Sequence, residues 1–153
     1  MAKGKTIKFR EAVLATPEIN ACYVQGLRAL GKYSKKVELS DAGKAEGSVD
    51  VDECVSRLHP NDNRWDYALG YDGEAYFVEV HSANTGEVST VLRKLQWLKD
   101  WLNTQAPEIN NIKAKHRTPF YWIQSGKFDI PKTSPQHRQL VSAGLMPIRK
   151  LIL

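Results

Sequence analysis

The dipeptide Asp72-Gly73 constrains this chain more than any other pair of residues in it. Asp-Gly suits a two-residue β-hairpin loop, because both central residues of that turn need positive φ. The flanking segments, Arg64 to Tyr71 and Glu74 to Ser82, are rich in aromatic and β-branched residues, the composition of strands. The spacing therefore predicts two antiparallel strands with Tyr71 opposite Glu74. Counting back along both strands sets Asp66 directly opposite Glu79 and Arg64 opposite His81. A four-residue loop would preserve this register; a loop of three or five residues would not.

Strand side chains alternate between faces, so the register also sorts them. One face carries Trp65, Tyr67, Leu69, Tyr71, Tyr76, Val78 and Val80. It reads as a core face, to be covered by helices. The other carries Arg64, Asp66, Ala68, Gly70, Ala75, Phe77, Glu79 and His81, small near the turn and polar at the open end.

Other elements follow from local signals. Thr16-Pro17-Glu18 looks like a helix start, and Ile19, Tyr23, Leu27 and Leu30 follow at helical spacing up to Gly31. The segment "SVDVDECVSRL" is ambiguous between a strand through Val49 and Val51 and a short helix capped by Asp52. Thr85 is placed to cap a helix with the stripe Val88, Val91, Leu92, Leu95, Leu98 and Leu102. "PFYWIQ" reads as a strand ended by Ser125-Gly126, "TSPQHRQLVSAG" as a capped helix closing on Gly144, and "PIRKLIL" as a last strand. The expected fold is α/β, one domain over residues 1–153, with a mixed central sheet and flanking helices. The helix after the hairpin crosses over to a parallel strand.

With 153 residues, of which 42% are hydrophobic and 25% charged, the chain has the makeup of an ordinary globule with a core. Its apolar runs are too short to span a membrane as helices, and its basic N-terminus lacks the apolar stretch of a signal segment. A cytoplasmic location is the expectation, with Cys22 and Cys54 as buried thiols. The net charge of +5 permits a polyanionic partner. Lys and Arg cluster in "MAKGKTIKFR", "GKYSKK", "NIKAKHR" and "IRK".

Two carboxylates facing each other across a hairpin repel. Arg64 and His81 offer one remedy, as an exposed polar cluster that neutralises both acids. A shared cation offers another. Mg²⁺ takes such oxygen pairs and completes its shell with water and phosphate.

The pattern Asp66…Glu79-Val80-His81 on a hairpin, followed by a helix and a strand, resembles the PD-(D/E)XK nuclease superfamily. The resemblance covers roughly residues 16–124 and implies a restriction-endonuclease-like αβββαβ core. It implies that Asp66 and Glu79 hold Mg²⁺ (or Mn²⁺), and that the partner is nucleic acid, above all DNA. Two positions depart from the family pattern. Trp65 stands where the Pro would precede Asp66, and His81 stands in the Lys position. The family's Lys can also come from the next helix, where Lys94 is the first candidate and Arg93 the second. Glu18 is similar to a helical Glu of some branches, and Gln96 to a Gln of the exonuclease-like branch. The implied function is metal-dependent cleavage of DNA phosphodiesters, with His81 or Lys94 handling the water and phosphate charge. A nuclease-like domain that has lost its chemistry and binds nucleic acid or a protein partner is the alternative. His59, His116 and His137 read as loop or surface residues without a role.

Overall fold

The computed structural model describes residues 7–153. A four-stranded sheet in the order β2-β3-β4-β5 runs through it. Its strands are β2 (Ala45–Asp50), β3 (Tyr67–Tyr71), β4 (Glu74–Asn84) and β5 (Phe120–Asp129). β2, β3 and β4 form an antiparallel meander, and β5 lies parallel to β4. A smaller parallel pair joins β1 (Val37–Glu38) to β6 (Leu151–Ile152). The helices are α1 (Phe9–Leu14), α2 (Val51–Val55), α3 (Val88–Thr104), α4 (Pro107–Asn111) and α5 (Pro135–Ala143). The protein is thus α/β, as expected.

The hairpin register is the one its turn dictates. Tyr71 pairs with Glu74, Leu69 with Tyr76 and Tyr67 with Val78. Asp72 and Gly73 sit at φ 48° and 82°, as the two-residue turn requires. α3 is the crossover between the parallel strands β4 and β5. A strand and a short helix both form in the ambiguous segment, but the helix starts earlier than expected: β2 ends at Asp50, whose carboxylate, and not that of Asp52, accepts the Glu53 N–H and caps α2, so Val51 lies in the helix. α5 starts at Ser134, whose hydroxyl accepts the His137 N–H, and Gly144 closes it in the left-handed conformation.

Four local expectations fail for tertiary reasons. No helix spans residues 17–30. Val24 instead exchanges backbone hydrogen bonds with Ser48, Cys22 is bonded to Cys54, and a 3-10 segment follows at Arg28–Lys36. The first helix lies earlier, at α1, with Phe9, Ala12 and Val13 buried. Thr85 does not cap α3; it opens a 3-10 turn, Thr85–Glu87, that leads into the helix. β5 continues past Ser125-Gly126. The cysteines form a disulfide rather than two free thiols.

Helical cover falls on the opposite face of the sheet from the one the alternation suggested. Ala68, Ala75 and Phe77 pack with Val88, Val91, Leu95 and Leu98 of α3, with α1, and with Ile109 of α4. The small residues make this possible, since they let helices approach the strands closely. A Cβ on Gly70 would lie 2.4 Å from that of Phe9. Leu69, Tyr71, Tyr76 and Val78 form a second core on the other face with Leu30, Val37, Ile123, Leu151 and Leu153. Trp65 is fully buried but joins the α3 side, edge-on to Phe120. Tyr67 and Val80 are only half-buried. The acidic pair therefore lies under a helix, not on an open polar face.

Candidate active site

Asp66 is the last residue before β3, and Glu79 lies in the middle of β4. Their backbones and side chains interlock across the hairpin. The Asp66 N–H donates to Glu79 Oε1 at 3.1 Å, and the Val80 N–H donates to Asp66 Oδ2 at 3.0 Å. The Asp66 carbonyl accepts the N–H groups of Val51 and Asp52, which ties the start of α2 to the same point. These bonds fix both carboxylates without any added ligand.

The cation between them is Lys94 of α3. Its Nζ donates to Asp66 Oδ1 at 3.2 Å and also to Glu79 Oε2. Helical periodicity explains why this Lys and not Arg93 reaches inward. Lys94 lies three residues after Val91 and four before Leu98, so it shares their side of α3. Arg93 is turned outward and is exposed. The Lys94 side chain keeps only 14% of its surface in solvent.

Glu79 is 0% exposed, which answers why such a residue can sit among Phe77, Val78 and Val80. It is a buried ion held by two partners. His81 Nδ1 lies 3.3 Å from Glu79 Oε2, and His81 Nε2 lies 3.5 Å from Glu87 Oε1. A chain of polar contacts thus runs Asp66, Lys94, Glu79, His81, Glu87. Trp122 holds the His81 backbone from β5 through a 3.0 Å bond from Nε1 to the carbonyl.

Burial pushes the Glu79 pKa above its ordinary range, against the opposing effects of His81 and Lys94. Burial raises Asp66 as well, with Lys94 opposing it. For Lys94, burial disfavours the ammonium, but Glu79 and Asp66 outweigh it and hold the pKa above normal. The hydrogen bond to Glu79 raises His81, partly offset by burial. Asp50, raised by burial, has Asp66 and Asp52 among its neighbours. Burial pushes the Tyr67 phenol up to about 12, and Asp50 and Asp66 add to that. The locality is rich in negative charge, and Lys94 balances only part of it.

Several sequence candidates lie elsewhere. Arg64 does not neutralise the acidic pair; it bonds Asp52 Oδ1 at 2.8 Å and the His59 carbonyl at 2.6 Å. Glu18 accepts from Trp101 Nε1 and shares a 2.8 Å hydrogen bond with His59. His59, expected to have no role, is therefore a half-buried strut between Glu18 and Asp62. The Gln96 side chain donates to Asp100 on the outer surface of α3. Glu87 and Asp50 had not stood out in the sequence. Their only signals were an acid at the start of a helix and an acid ending a short strand.

The two carboxylates already point oxygens at one cation, and hard oxygens are what Mg²⁺ and Mn²⁺ select. No cluster of three or more His, Cys, Asp or Glu side chains suited to a metal occurs among the described residues. The donor set thus suits an ion that keeps most of its waters, not a closed structural site. No protein-family model, curated protein or solved structure matches this chain.

Proposed function

We propose that this protein is a metal-dependent nuclease of the PD-(D/E)XK type that cleaves phosphodiester bonds in DNA. One observation carries the reading: an Asp and a buried Glu on adjacent strands converge on one ammonium from the following helix. With β1, α2 and α4 taken as insertions, the order α1, β2, β3, β4, α3, β5 supports a restriction-endonuclease-like αβββαβ core. Lys94 supports the variant in which the family's Lys has moved to that helix.

Asp66 and Glu79 would hold Mg²⁺ or Mn²⁺. Such an ion supplies Lewis acidity toward a phosphate oxygen and lowers the pKa of a bound water. Lys94 has a long flexible stem, so its ammonium can leave the carboxylates and meet phosphate charge as that charge develops. The raised Lys94 pKa makes it a fixed cation, unsuited to taking a proton. His81 touches Glu79 and acts through it, orienting the carboxylate. A cytoplasmic site of action fits a DNA substrate, but the Cys22–Cys54 disulfide counts against it, since such bonds are rare in that reducing compartment.

His81 in the Lys position favours the second reading, a nuclease-like domain that binds nucleic acid or a protein without cutting. Calorimetry with Mn²⁺ separates the two. The nuclease reading expects binding that is lost in Asp66→Ala and in Glu79→Ala, together with metal-dependent cleavage of plasmid DNA. Absence of both in the wild type would leave the binding reading in its place.

A further inference from the structure

β5 is an outer strand of the sheet. Among the described residues, backbone hydrogen bonds to its outer edge reach only as far as Gln124, whose N–H donates to the Ile148 carbonyl. Past that point the strand bulges. His81 pairs with Gln124 and Ala83 with Phe128, so Ser125, Gly126 and Lys127 face Ser82 alone. The extra residues push the strand outward and leave Phe128 41% exposed. A groove forms there, lined by Lys36, Gln124, Gly126, Lys127, Phe128 and Arg149. Three of these residues are cations and none is an acid. Lys36 is anchored, with Nζ donating to the Gln124 carbonyl at 3.2 Å. Through the pairing of Gln124 with His81, the groove begins one strand, about 5 Å, from the backbone that carries His81 and Glu79.

Cations beside an exposed aromatic ring form the usual platform for unpaired nucleotides. The cations meet phosphates, and the ring stacks on a base. A base inside a duplex has both faces covered by its neighbours and offers the ring nothing. We propose that this groove seats an unpaired polynucleotide strand, with phosphates on Lys36, Lys127 and Arg149 and a base against Phe128. The proposal rests on the nuclease reading only for where the strand leads, which is to the Asp66–Glu79 pair.

Fluorescence anisotropy tests it on the wild-type chain in EDTA, where no cutting occurs. The probes are labelled oligodeoxythymidylate, oligoribouridylate and a blunt DNA duplex of equal length. At least one unpaired probe should bind more tightly than the duplex, and comparing the two tells DNA from RNA. Phe128→Ala should weaken that binding roughly 5- to 100-fold and leave duplex binding unchanged, whereas Phe128→Trp should retain it. Arg149→Ser and Lys127→Ser should each reduce the salt dependence by about one phosphate contact. Unaltered binding in Phe128→Ala, or a duplex bound at least as tightly as both unpaired strands, would overturn the proposal. The assay needs no metal, so a protein that binds this way but never cuts refutes the nuclease reading alone. A protein that cuts DNA and binds equally well without Phe128 refutes the groove alone.

Discussion

Glu79 can stay ionised under α3 only because Lys94 and His81 reach it. Removing Lys94 leaves a buried carboxylate without its principal cation. Lys94→Ala should therefore destabilise the protein by up to about 3–5 kcal/mol at pH 8. The loss should shrink as pH falls, because burial favours the protonated form of Glu79; urea unfolding at pH 8 and at pH 5 checks this. If the protein is the nuclease proposed above, cleavage should fall by about a hundredfold or more in the same variant. His81→Gln should lose far less, and His81→Lys should keep or raise activity, since it restores an acid-x-Lys sequence. If His81→Gln loses more than Lys94→Ala, the roles assigned to the two residues are reversed. The pH dependence of stability has a definite sign. Asp66, Glu79 and His81 all have folded pKa values raised above their ordinary 3.8, 4.5 and 6.5. Each contributes stability that is fully present below its ordinary value and lost as pH rises through the folded one. The melting temperature of the metal-free protein should accordingly decline from mildly acid pH into the alkaline range. Asp66→Asn combined with Glu79→Gln should flatten the decline, as differential scanning calorimetry across the range would show.

At the scale of elements, α3 does two things at once. Val91, Leu95 and Leu98 seal the sheet, and Lys94 is delivered from the same side of the helix. Leu98→Ala should cost about 2–5 kcal/mol in urea unfolding. Gly70→Val should cost about 1–3 kcal/mol or more, because its new side chain meets Phe9 of α1. The hairpin could be read from the sequence because its determinants are local: an Asp-Gly turn and a two-residue period. The opposition of Asp66 and Glu79 followed from these alone, whereas Lys94 was nominated by the family resemblance and not by the helical period, which had set it off the centre of the apolar stripe. What could not be read depends on distant partners. The segment from Pro17 to Leu30 has helical spacing, but Ser48 and Cys54 pull it into another shape. The side of the sheet that α3 covers was misjudged because β3 and β4 are apolar on both faces, so alternation could not say which face the helix takes. Arg64 was lost to Asp52 and His59, neither of which is its hairpin neighbour.

For the whole molecule, the Cys22–Cys54 bond staples the irregular segment before the sheet to α2, across a sequence separation of 32 residues. Closing a loop of that size restricts the unfolded chain, and its loss should cost about 3–4 kcal/mol. Urea unfolding with and without reductant measures this, and Cys22→Ser with Cys54→Ser should reproduce the reduced value. Lys94 has a further consequence at this scale. Many small metalloproteins cannot fold until their ion arrives, because their ligands repel one another without it. In this protein an amine already sits between the two carboxylates, so the chain carries its own provisional counter-ion. On the nuclease reading, folding is thereby freed from the metal supply, and a metal would enter by exchange with an internal guest rather than by filling a void. On that same reading, chelation should abolish cleavage yet leave the circular dichroism spectrum and cooperative unfolding of the protein intact.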